Sequence, residues 1–86
     1  MDDVAELNYE KFLSDLIKPL VMFPNEVVVK TFSEEGNTVT LQVMVNEKDL
    51  GRVIGKKGRV ANAIRTIAFA CAARGGKKLE ISIDSY

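Results

Sequence analysis

The chain has 86 residues, 47% of them apolar, with 12 basic and 12 acidic side chains and a formal net charge of zero. That length accommodates one folded domain and not two, and its longest apolar run, Ile67 to Ala73, falls far short of the roughly 20 residues that span a bilayer. A single cysteine, Cys71, excludes an internal disulfide, and the absence of histidine excludes the common hydrolytic triads and most zinc sites.

Tyr9, Phe12, Leu13, Leu16, Ile17 and Leu20 recur at the spacing of one helical face, and Pro19 predicts a kink or an early end. Pro24 and Asn25 close that segment. Glu26 to Ser33 reads as a strand, Glu34-Glu35-Gly36-Asn37 as a turn, and Thr38 to Val45 as a second strand in which Val39, Leu41, Val43 and Val45 alternate with polar or flexible residues. Glu47 to Ile54 reads as a short helix capped by Asn46, and Arg59 to Arg74 as a longer one stopped by Gly75-Gly76. On the long helix Val60, Ile64, Ile67 and Cys71 share a sector expected to face the core, which makes Cys71 a buried structural thiol. Lys77 to Asp84 alternates again and gives the third strand.

The predicted order is α-β-β-α-α-β. A hairpin joins the first two strands, and a helical crossover carries the chain to the third, normally parallel to the second. The expected fold class is therefore α+β: a three-stranded mixed sheet with Thr38 to Val45 in the middle and three helices on one face, in two layers. Residues 1–86 form one domain, with 1–6 expected to be a tail. Met1-Asp2-Asp3 lacks the basic region of a secretory signal, so a cytoplasmic setting is expected.

Charge is segregated along the chain. Residues 1–47 hold nine acids and three bases, a net of −6, whereas residues 48–86 hold nine bases and three acids, a net of +6. Such an imbalance raises a local positive field that attracts a polyanion. Within the basic half, Gly55-Lys56-Lys57-Gly58 joins the two helices, with Val53-Ile54 before it. Glycines allow a tight turn and close backbone approach, and lysines supply mobile charges suited to phosphate. A Walker loop needs a different spacing and a hydroxyl where Lys57 stands, and a dinucleotide fingerprint needs glycine at Val53 and a preceding strand. No catalytic constellation, metal site or cofactor site is read from the chain.

Gly51-Arg52-Val53-Ile54-Gly55-Lys56-Lys57-Gly58-Arg59, followed by Ala63-Ile64-Arg65-Thr66-Ile67 and set between strands, resembles the KH RNA-binding domain in its bacterial, type II arrangement. It is similar to the small single-domain KhpA-type proteins over nearly the whole chain. The resemblance implies a non-catalytic protein that grips the backbone of single-stranded RNA. Gly55 and Gly58 would shape the loop, Lys56 and Lys57 would face phosphates, and Ile54 would help floor a groove for bases. Arg52, Arg59 and Lys48 are further charge donors by sequence distance. The family likeness also implies an RNA chaperone or post-transcriptional regulator tied to bacterial cell elongation and envelope growth.

A second surface is read from the long helix. At about 100° per residue, Phe69 points away from Val60 and is flanked by Ala72 and Ala73, with Arg65 one turn earlier. An aromatic among small residues marks a candidate contact face. The resemblance implies pairing with a second copy or with a larger KH-containing partner of the KhpB type, also called Jag or EloR. The competing reading is a protein-interaction module in which the glycine turn is only structural.

Overall fold

In the computed structural model, residues 8–86 are described, so the expected tail at 1–6 lies outside the described residues. Helix α1 (Tyr9–Ile17) starts where the Asn8 side chain accepts from the Lys11 N–H at 3.1 Å. Tyr9, Leu13 and Ile17 bury one stripe, and Phe12 packs at its border. Pro19 ends the α-helix early: Lys18–Leu20 tightens into a 3-10 turn. That change of pitch swings Leu20, predicted on the buried stripe, out to solvent. A second 3-10 turn, Pro24–Glu26, occupies the predicted beginning of the first strand, which starts instead at Val28.

Strands β1 (Val28–Glu35) and β2 (Thr38–Val45) pair antiparallel, and β3 (Lys78–Ser85) runs parallel to β2, giving the order β1-β2-β3. Gly36 and Asn37 alone join the hairpin. Gly36, at the first central position, has φ +59°, as a type II′ turn requires. A bulge between Thr31 and Ser33 leaves Phe32 without a cross-strand partner.

Helices α2 (Glu47–Ile54) and α3 (Arg59–Arg74) form the crossover, and with α1 they cover the sheet face carrying Val39, Leu41, Val43, Val45, Leu79 and Ile81. Ile83 borders this core. The Glu10 carboxylate ties α1 to β1 by accepting from the Thr31 N–H at 2.9 Å and the Thr31 hydroxyl at 2.7 Å. Helix α3 ends in a Schellman closure: Lys77 N–H donates to Ala72 O at 2.9 Å and Gly76 N–H to Ala73 O at 3.0 Å, with Gly76 at φ +76°. The fold class and element order are those expected, a two-layer α+β domain of the type II KH arrangement.

The buried face of α3 differs from the predicted one. Ala61, Ile64, Ala68 and Ala72 point inward, Val60 and Cys71 are half-buried, and Ile67 is 47% exposed. The large side chains suggested one stripe, but the alanines define another, since removing bulk lets α3 lie close to the layer beneath it.

Candidate nucleic-acid interface

The short helix α2 is organised by its ends. Asn46 accepts from the Lys48 N–H at 2.8 Å, Glu47 and Asp49 stand in the first turn, and Arg52 stands in the last, the arrangement that the helix dipole favours. Gly55 closes the helix by donating to Gly51 O at 2.8 Å. Its φ of 78° and ψ of 170° belong to a region essentially restricted to glycine. A Cβ at Gly55 would collide with the Val60 side chain and lie 2.8 Å from the Val60 backbone nitrogen. The loop backbone is therefore pressed against the first turn of α3.

Lys56–Gly58 then makes one 3-10 turn, closed by Gly58 N–H to Gly55 O at 3.1 Å. Lys57 is left-handed (φ 58°, ψ 26°) although it carries a side chain, and Gly58 follows at φ 77°. Among the described residues, the N–H groups of Lys56 and Lys57 meet no backbone acceptor, and Gly58 provides no side-chain cap to α3. The Lys56, Lys57 and Arg59 side chains are exposed around these donors. Open amides, a helix N-terminus and three cations give the turn the chemistry of an anion site.

Of the other residues expected at this interface, Ile54 is half-buried directly before the turn, and Arg52 is exposed in the same last turn of α2. Lys48 is not gathered in. It sits in the first turn of α2, about 9 Å along the axis from Ile54 at 1.5 Å per residue.

On α3, Phe69 is 42% exposed and Ala73 is exposed beside it. Ala72 is completely buried, which corrects its assignment to a partner surface: its methyl belongs to the core. Arg65 is half-buried and clipped to β3, donating from Nε and Nη2 to Ile81 O at 3.3 and 3.2 Å. Ile67 adds exposed apolar area on the opposite flank of the helix, about 160° from Phe69 at 100° per residue.

Asp49 carries a role that the spacing of motifs did not reveal. It is fully buried, accepting from Met22 N–H at 2.9 Å and Phe23 N–H at 3.0 Å through its two oxygens, with Arg52 Nε 3.6 Å away. Its signal in the sequence was position: four residues before buried Val53, it shares the inward face of α2. On the far side of the sheet, Val28, Lys30, Phe32, Gln42, Met44 and Tyr86 line an open hollow of about 490 Å³, remote from the turn.

A family model described as the KhpA/KhpB KH domain matches residues 10–83. The RNA-binding protein KhpA of Listeria monocytogenes is 40% identical over 74 residues, covering 86% of this chain and 96% of that protein. The RNA-binding protein KhpA of Bacillus subtilis is 34% identical over 80 residues, covering 93% and 98%. Among solved structures, Aquifex aeolicus Era bound to GDP and AlF4⁻ superposes with a TM-score of 0.72 at 19% identity, over 91% of this chain and 30% of that one. Era in complex with MgGDPNP and nucleotides 1506–1542 of 16S ribosomal RNA gives 0.70 at 19%, over 94% and 32%. The chain thus spans about a third of these structures and shares the fold of that part.

Proposed function

The chain belongs to the KhpA/KhpB KH-domain family, and from that premise we propose that it binds single-stranded RNA by clamping the backbone at Gly55-Lys56-Lys57-Gly58. The observation that carries the proposal is the turn itself: among the described residues two of its amides meet no backbone acceptor, at the start of α3, where Lys56, Lys57 and Arg59 are exposed. Phosphates meet the amides and lysines, and Ile54 lies where bases would reach apolar surface. The relatives named as RNA-binding proteins support the same reading. The family likeness extends it to a cytoplasmic RNA chaperone or post-transcriptional regulator acting on cell elongation and envelope growth.

The test is charge reversal at two exposed positions. Lys56→Asp with Lys57→Asp should leave the circular dichroism spectrum and melting temperature near those of the parent, since aspartate tolerates the left-handed conformation at 57. Binding to a single-stranded RNA oligonucleotide should fall by about two orders of magnitude, as two phosphate contacts become repulsions. The parent should show a log-affinity against log-salt slope of roughly −2 to −3, for three or four phosphate contacts. Retained affinity in the double variant would remove the clamp.

A second reading rests on Phe69, an exposed aromatic beside exposed Ala73. It proposes that this flank of α3 pairs with a second copy or a KhpB-type partner, which would raise avidity for RNA by presenting two weak clamps together. Sedimentation of Phe69→Glu beside the parent checks it: association lost in the variant supports pairing, and identical profiles rule this surface out.

A further inference from the structure

Resting on the RNA-binding reading above, we propose that buried Asp49 is a positioning residue that presets Arg52, with Met22, as a fixed bidentate donor at the edge of the clamp. A carboxylate without surface exposure is costly unless its oxygens are engaged, and Asp49 engages both. Oδ1 accepts from Met22 N–H and Oδ2 from Phe23 N–H, which pins the segment between the two 3-10 turns onto α2. Oδ1 also lies 3.6 Å from Arg52 Nε. The pinned segment then gives Arg52 a second anchor, because Arg52 Nη2 donates to Met22 Sδ at 3.1 Å.

A guanidinium is a rigid plane with five N–H donors. Held on its Nε side by Asp49 and at Nη2 by Met22, it has its plane fixed while its remaining donors stay available, and the side chain is 54% exposed. Arg52 stands in the last turn of α2, three residues before Gly55 and about 4.5 Å from it along the helix axis. An arginine already ordered loses less freedom on binding than a free lysine, and its fork matches a bidentate acceptor. In bound RNA that acceptor is a pair of phosphate oxygens or the O6/N7 edge of a guanine. Met22, 58% exposed on the same lip, keeps the guanidinium plane in place.

The experiment measures affinity for oligo-A, oligo-C, oligo-G and oligo-U across a salt series with the parent, Arg52→Lys, Arg52→Gln, Met22→Leu, Asp49→Asn, and Asp49→Asn combined with Arg52→Lys. Melting curves accompany each variant. Arg52→Lys keeps the charge and sits at an exposed position, so it should stay folded yet lose about fivefold or more in affinity. Asp49→Asn should lose a similar factor in the parent and little more in the Arg52→Lys background, the non-additivity of two groups acting through one contact. A phosphate acceptor shows as a salt slope about 0.7 shallower in Arg52→Gln. A guanine acceptor shows as a preference for oligo-G that Arg52→Lys and Arg52→Gln both flatten. Parent-like affinity in Arg52→Lys, or equal losses from Asp49→Asn in both backgrounds, overturns the proposal while the clamp stands. No binding by the parent overturns both.

Discussion

Two turns in this molecule use left-handed backbone for different ends. The hairpin turn between β1 and β2 places one glycine, Gly36, at positive φ and returns at once to paired strands. The turn between α2 and α3 places three of its four residues there, Gly55, Lys57 and Gly58, one of them a lysine. A side chain in that region costs about 1 kcal/mol or more, and nothing in the packing requires Lys57 to carry one. The hairpin turn is a folding device that local chemistry satisfies. The second turn retains local strain, and the lysine it keeps is exposed beside unpaired amides, where an anion would sit.

Substitutions at these glycines sharpen the contrast. Gly55→Ala should be the most damaging, because it combines a glycine-only conformation with a collision against Val60: about 3 kcal/mol, or a fall of roughly 10–20 °C in melting temperature. A loss under 1 kcal/mol would mean that the loop does not pack on α3 as described. Gly58→Ala meets open space and should lose only the left-handed penalty, about 1–2 kcal/mol by thermal denaturation. Gly36→Ala should lose a comparable amount, yet only Gly58→Ala should also weaken RNA binding; equal affinities would erase the distinction between the turns. Lys57→Gly has the smallest effect and the opposite sign: a gain of about 0.5 kcal/mol in stability, with weaker binding to RNA.

Much of this organisation was legible because it is written in local chemistry. Helix α2, helix α3 and strand β2 run between the predicted residues, since Asn46, Gly55, Gly76 and the alternation from Val39 to Val45 act within a few residues of themselves. The inward face of α3 was not legible, because Ile67 and Cys71 advertise bulk while Ala61, Ala68 and Ala72 do the packing. Close approach of a helix is decided by its neighbours. Asp49 was hidden for a similar reason: its partners, Met22 and Phe23, lie 27 and 26 residues away, and an acid in the first turn of a polar helix reads as solvated. Lys48 shows the converse, near the turn in sequence but at the far end of α2 in space.

The contact between Gly55 and Val60 bears on how fast the molecule captures its ligand. A loop whose backbone rests on the next helix has no independent hinge, so its open amides keep one orientation unless α2 and α3 separate. Capture then involves no gating step: complex formation should follow a single exponential whose rate rises linearly with RNA concentration and falls with added salt, as in encounter steered by charge.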